Sequence, residues 1–167
     1  FNVYENENYL PMGFTYEAFM KESEFEKIGK ADRHIYLCSY LVVPDDMAEY
    51  YSTILPEATR SDVKKPEFQV YADSVKDRLN GNVCESFEWG SYGFNATIDS
   101  DKKQIVFFSV PYDISELAGI PMGGWSAKVN GEEVDINKVF YGFMAVEIPA
   151  GENISIEFEY QTPGRII

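Results

Sequence analysis

Residues 123–136 read GGWSAKVNGEEVDI. Polar and apolar side chains alternate up to Val129, an Asn130-Gly131 pair interrupts them, and alternation resumes on the far side. Asn-Gly accepts positive φ at both central positions of a two-residue type I′ turn, so it sets a β-hairpin and its register. With that turn Val129 faces Glu132, Lys128 faces Glu133, Ala127 faces Val134, Ser126 faces Asp135 and Trp125 faces Ile136. Successive strand side chains point to opposite faces. Lys128, Glu133, Ser126 and Asp135 therefore share a wet face, and Trp125, Ala127, Val134 and Ile136 a core face. An outward Trp on a sheet would be a sugar-stacking platform; this register sends Trp125 inward.

The same pattern extends on both sides of the hairpin. VCESFEW (83–89) is followed by a GSYG turn, and FNATI (94–98) puts Phe94, Ala96 and Ile98 on one face. DSDKK turns into QIVFFSV (104–110), which is apolar on both faces and so reads as a central strand. FMAVEI (143–148) precedes a Pro149-Ala150-Gly151 turn, and ISIEFEY (154–160) alternates, with Ile154, Ile156, Phe158 and Tyr160 inward and Ser155, Glu157 and Glu159 outward. Short strands separated by turn signals predict a mainly β fold, an antiparallel, jelly-roll-like β-sandwich over 83–167. Its expected structural residues are Trp125, Phe143, Ile156 and Phe158 in the core and Asn130 and Gly131 at the turn.

Residues 1–82 read as a small α/β lead-in with short helices, packed on the sandwich in one compact unit. Pro11 and Gly13 break its first extended segments. Ser23 followed by Glu26 fits a capping box. KADRHIYLCSYLVV (30–43) suits a strand by composition and a helix by spacing. Residues 45–55 read as a short helix ending before Pro56, 57–67 as a polar connector, and 73–79 as a helical turn closed by Asn80-Gly81.

The 167 residues carry 28 acidic and 14 basic side chains, a formal charge of −14. Phosphate backbones and anionic headgroups are repelled by such a surface, so no nucleic-acid partner is expected, while neutral glycans remain compatible. A structural zinc site takes about four Cys or His ligands; with Cys38, Cys84 and His34 alone, no metal and no cofactor are expected. One disulfide and two free thiols both fit the cysteines. Asp99 and Asp101 read as turn residues rather than calcium ligands, since no EF-hand spacing follows. No stretch approaches the roughly 18 apolar residues that span a bilayer, and no signal peptide is evident. Neither FNVYENENYL nor QTPGRII reads as a natural terminus, so the expectation is a piece of a longer protein.

No nucleophile elbow, phosphate-binding glycine loop or HExxH motif is present, so no catalytic residue is assigned. Trp89 stands at a strand end beside the GSYG turn, which carries Tyr92, and strand ends are where sandwiches display ligand-contacting loops. They are candidate glycan contacts; a rim covering the open end of the core is the alternative. Residues 113–124 form the longest apparent connection among the strands. Asp113 and Glu116 are its candidate contacts.

VFFSVPYD (106–113) and GGWSAKVNGEEVDINKVFYGFMAVEIPAGENISIEFEYQTPG (123–164) resemble the C-terminal extracytoplasmic region of the YfhO-like bacterial membrane proteins. The shared pattern is an apolar strand, PYD, GW, an NG hairpin, a GFM strand, a PAG turn and a last alternating strand. VYENENYLPMGFTY (3–16) and KESEFEKI (21–28) resemble the family's front segment and following helix, which favours a helix for ADRHIYLCSYL (31–41) as well. The resemblance implies a large multi-spanning protein similar to membrane glycosyltransferases that use polyprenyl-phosphate sugars to decorate cell-surface polymers such as lipoteichoic acid. It implies a domain on the extracytoplasmic face of the cell membrane, partnered by the rest of its own membrane-embedded chain; in that setting two roles stay open, positioning or binding a cell-wall glycan acceptor, and a purely structural or protein-interaction module with no glycan affinity. The family's catalytic acid belongs to an early outer loop, outside this chain. Residues 114–122 depart from the family, which passes from PYD to GW with little between.

Overall fold

The computed structural model describes residues 3, 4, 6, 9–62, 67–80, 83–117 and 120–162, with the side chains of 114–122 excepted. The first half contains strands β1 (Gly13–Thr15), β2 (Phe19–Lys21) and β3 (Leu41–Val43) and helices α1 (Glu22–Phe25), α2 (Arg33–Ser39), α3 (Ala48–Ser52) and α4 (Phe68–Leu79), with 3-10 turns at Asp45–Met47 and Arg60–Asp62. Strands then follow one another: β4 (Ser86–Trp89), β5 (Gly93–Ser100), β6 (Gln104–Pro111), β7 (Ile114–Leu117), β8 (Ile120–Val129), β9 (Glu132–Val134), β10 (Asn137–Val139), β11 (Phe143–Ile148) and β12 (Gly151–Gln161).

Two antiparallel sheets pack face to face. One runs β1-β6-β11-β10; the other is six-stranded, β4-β5-β12-β8-β7, with β9 also on β8. The period-2 alternation supplies the layer between them. Phe94, Ala96 and Ile98 of β5 and Ile154, Ile156 and Phe158 of β12 meet Val106, Phe108 and Val110 of β6 and Met144, Val146 and Ile148 of β11. Each fully buried large side chain contributes about 1.5–3 kcal/mol, which is why one inward-facing row per strand is enough to hold the sheets together.

Strand β6 is buried on both faces. Ile105 and Phe107, pointing away from the sandwich core, pack on Phe14, Phe19, Leu41, Tyr51 and Leu55 of the first half. The parallel pair β2–β3 forms part of this third layer. The first half also contributes a strand: β1 pairs with β6 (Phe14 opposite Phe107), and the Cys84 N–H donates to the Gly13 carbonyl at 2.9 Å.

Four local readings change. The 30–43 stretch is a helix and then a strand, because α2 ends at Ser39 and Tyr40 turns extended to deliver Leu41, Val42 and Val43 into the interior. Ser23 is not a cap. It sits inside α1, and its N–H is met from outside by the Asp45 carboxylate at 3.0 Å, hydrogen bonding that holds the Asp45 carboxyl below its ordinary range. Helix α4 starts at Phe68, well before residue 73, because Ala72, Val75 and Arg78 bury one helical face; Gly81 of its expected closure lies outside the described residues. Within 113–124 the described residues are not an open loop: Ile114–Leu117 (β7) pairs antiparallel with the start of β8, and the register shifts between Ser115 and Glu116, opposite Pro121. Proline has no N–H to give a regular ladder, which accounts for the irregularity at that point.

The Asn130-Gly131 turn has φ of 52° and 81°, and the rungs Val129–Glu132, Lys128–Glu133 and Ala127–Val134 form as read. The next two do not, because β9 ends at Val134; the Trp125 N–H is taken by the Asp113 carbonyl, and β7 pairs with β8 from Gly124 on. The Asn130 side chain also ties the turn to β12, where its Oδ1 accepts the Ser155 N–H at 3.0 Å.

The seam between β1 and the sandwich allows a sharp test. A Cβ on Gly13 would stand 2.5 Å from Cys84 Sγ and 2.7 Å from the Phe108 ring, both immobilised in the core. Gly13→Ala is expected to destabilise the chain by about 1–3 kcal/mol, the usual cost of overpacking, read as a lower urea midpoint. An unchanged midpoint would contradict the tight seam.

Candidate functional site

The side chains that alternate away from the core form the outer face of the six-stranded sheet, and the registers order them into rows. Glu88 on β4 stands opposite Asn95 on β5, Asn95 opposite Glu157 on β12, Glu157 opposite Lys128 on β8, and Lys128 opposite Glu133 on β9. At the ordinary interstrand spacing this row is about 19 Å long. A parallel row runs Ser86, Thr97 and Ser155, with Ser86 and Thr97 hydroxyls 2.7 Å apart. A third runs Gly93, Glu159 and Ser126.

Between these rows lies a groove of about 230 Å³, walled by Asn95, Ser126, Lys128, Glu157 and Glu159 and flanked by Tyr92. Gly93 leaves its floor without a side chain. A Cβ there would collide with the Phe158 carbonyl oxygen, so the close approach of β5 to β12 admits only glycine. Tyr92 is 62% exposed, and its carbonyl accepts the Tyr160 N–H at 2.6 Å, which fixes the turn that presents the ring.

The four candidate contacts fall in different places. Tyr92 flanks the groove. Trp89, 59% exposed, is on the other face of β4, edge-on to Phe87 at 5.5 Å and Phe94 at 5.2 Å, where it extends the aromatic core past its rim. Asp113 is engaged within the chain: Tyr160 Oη donates to its Oδ2 at 2.7 Å, and its carbonyl accepts the Trp125 N–H at 2.9 Å. That hydrogen bond, with desolvation second, raises the Tyr160 phenol above its ordinary value. Glu116 stands opposite Pro121 in the β7–β8 hairpin, and its side chain lies outside the described residues.

The expected core residues also differ in position. Ile156 and Phe158 are buried in the sandwich. Trp125 is half-buried at its edge, against Phe94 at 5.7 Å and Tyr160 at 5.0 Å. Phe143 is half-buried on the opposite side of the first sheet, against Phe107 at 5.9 Å. Asn95, Lys128, Glu157 and Glu159 were not among the candidates. Their outward direction is visible in the alternation, but the adjacency of β5, β12 and β8 that gathers them is not.

A second cavity, about 320 Å³ and almost wholly apolar, lies on the lead-in side among Phe14, Tyr16, Phe107, Phe140, Tyr141 and Phe143. Phe140 and Tyr141 hold φ of 47° and 61°, the left-handed region that the hairpin at 130–131 fills with Asn-Gly. Such backbone costs on the order of 1–3 kcal/mol per residue, offset here by Phe140 packing on Phe107 at 4.9 Å. Buried Arg78 stacks on Tyr16 at 4.4 Å. Both cysteines are free, and burial pushes the Cys84 thiol up to about 12. Among the described residues no group of three or more His, Cys, Asp or Glu is placed to hold a metal ion.

The family model described as "Bacterial membrane protein YfhO" matches residues 74–167, more than half of the chain. The chain belongs to that family. Among curated proteins and among solved structures nothing matches. The match covers α4 from Ser74 on and every strand of the sandwich except β1, so the groove of this YfhO-family chain lies wholly within it. No described helix is long and apolar enough to cross a membrane.

The Asp113–Tyr160 contact is open to titration. The Tyr160 phenol should titrate above the ordinary tyrosine range by ring NMR and fall back toward it in Asp113→Asn. Identical titration in the two proteins would remove the contact.

Proposed function

We propose that this chain is a non-catalytic, extracytoplasmic glycan-binding domain of a multi-pass bacterial membrane protein, holding a cell-surface glycan acceptor for a glycosyltransferase centre elsewhere in the same protein. The observation that carries this reading is the groove. It combines an exposed aromatic ring, Tyr92, with a ladder of amide, hydroxyl and carboxylate groups whose spacing is fixed by sheet register. Sugars present both an apolar ring face and a rim of hydroxyls, so an aromatic flank beside convergent polar groups suits them. The family match supports the membrane-protein context. The resemblance noted from the sequence supports the link to glycosyl transfer onto cell-surface polymers.

A structural or protein-interaction role is the second reading. It is favoured by Trp89 packing on Phe87 and Phe94 and by Asp113 bonding to Tyr160, both of which serve the fold.

Calorimetric titration of the 167-residue chain with oligosaccharides from bacterial cell-wall polymers separates the two. Glycan binding predicts saturable heat that weakens about tenfold in Tyr92→Ala, a loss of about 1.4 kcal/mol, and is lost in Asn95→Ala/Glu157→Ala. Trp89→Ala, outside the groove, should bind as the parent does. Absence of saturable binding, or binding indifferent to Tyr92, would leave the structural role.

A further inference from the structure

The apolar cavity of about 320 Å³ takes walls from both halves of the chain: Phe14 on β1, Phe25 on α1, Leu37 on α2, Phe107 on β6, Phe143 on β11 and the Phe140-Tyr141 turn. Its lining is carbon almost throughout. Tyr16, also a wall, spends its hydroxyl inside the chain, donating to the Leu37 carbonyl at 2.8 Å. The Arg78 guanidinium lies over the Tyr16 and Phe14 rings, at 4.4 and 5.6 Å, and is not itself a wall. A sugar or a peptide backbone placed here would leave its hydroxyls or amides unpaired. An α-helix, about 10 Å across with its side chains, is too wide for the space. A slender apolar segment fits.

The wall at 140–141 is strained and firmly held. Phe140 and Tyr141 take left-handed φ of 47° and 61°, where the hairpin at 130–131 uses Asn-Gly. The Phe140 N–H donates to the Val42 carbonyl at 2.9 Å, and the Gly142 carbonyl accepts the Tyr112 N–H at 2.8 Å. Phe140 packs on Phe107, but Tyr141 is 48% exposed and meets Phe25 at 6.3 Å. Backbone strain that keeps a half-exposed ring at the edge of a cavity is characteristic of ligand clamps. We propose that this cavity binds a single hydrocarbon chain, the tail of a bilayer lipid, with Tyr141 at its mouth. The family is one of bacterial membrane proteins, so lipid is the apolar ligand that the whole protein has beside it. At about 30 Å³ for each water-sized group, the volume suits a chain of about ten carbons. The glycan groove opens on the far side of the other sheet, so the two sites stand or fall separately.

The test titrates the 167-residue chain with n-alkyl phosphocholines from hexyl to dodecyl, each below its micelle-forming concentration. Affinity should rise about fourfold per added carbon and level off near about ten carbons, when the cavity is full. Cys38 is a free, half-buried thiol in the cavity wall, while Cys84 is buried in the core, so a maleimide reads Cys38. At about ten times its Kd, decyl phosphocholine should slow that labelling about tenfold, in proportion to the sites left empty. Tyr141→Gly removes the ring and relieves the left-handed backbone, so it should keep the urea midpoint and bind decyl phosphocholine about tenfold more weakly. Phe68→Ala removes an exposed ring that is not a wall of the cavity, and should bind as the parent does. An equal loss in that variant would assign the binding to general surface adhesion and overturn the inference. Affinity that does not grow with chain length, or Cys38 labelling unchanged by the amphiphile, would overturn it as well and leave the cavity to an apolar side chain of a protein partner.

Discussion

The burial of β6 on both faces is the constraint from which the rest of the structure follows. A strand apolar on alternate residues needs one partner layer; QIVFFSV is apolar on consecutive residues and needs two. Val106, Phe108 and Val110 are covered by the second sheet, and Ile105 and Phe107 by the first half of the chain. Leaving the second pair bare would expose two large side chains together with Ala145 and Val139 beside them. The small helices and the β2–β3 pair are the cover that this face requires. They are short because they present Phe19, Leu41, Tyr51 and Leu55 to β6 rather than form a core of their own.

That arrangement assigns the faces. With the first sheet enclosed on both sides, the outer side of the six-stranded sheet is left to water, and its strands alternate cleanly as a result. Strand β12 runs through the middle of it and gathers the groove: Glu157 and Glu159 face out while Ile156 and Phe158 anchor the strand below. The strand is held from several directions. Asn130 accepts from Ser155, Asp99 accepts from the Asn153 N–H, and Tyr160 donates to Asp113. Rigid support under a polar face is what a binding surface needs if its donors and acceptors are to keep their spacing.

Much of this is legible in the chain. Alternation identifies the buried residues of β5 and β12, and Asn-Gly identifies three rungs of the β8–β9 hairpin, because both signals are local. The fourth and fifth rungs are absent because β9 stops at Val134 and the Trp125 N–H bonds instead to the Asp113 carbonyl ahead of β7, a contact that no feature of the hairpin announces. Residues 113–124 read as a loop for a similar reason: Pro121 and two adjacent glycines resemble one, yet β8 offers an edge that tolerates an irregular partner. Ser23 has the right spacing for a cap, but Asp45, in sequence 22 residues away, supplies the acceptor at that helix. At the site, Tyr92 is visible as an aromatic beside a turn. Trp89, three residues earlier, looks equivalent and is not, since strand parity sends it to the core face.

Native-state hydrogen exchange tests the shared core most directly. If β6 binds both layers into one unit, amides of residues 41–43 in β3 should exchange through the same opening as those of residues 105–110. The two sets would then have matching free energies and matching denaturant slopes. Exchange of the β3 amides through a smaller, separate opening, with β6 still protected, would show the lead-in to be an independent layer and contradict the account.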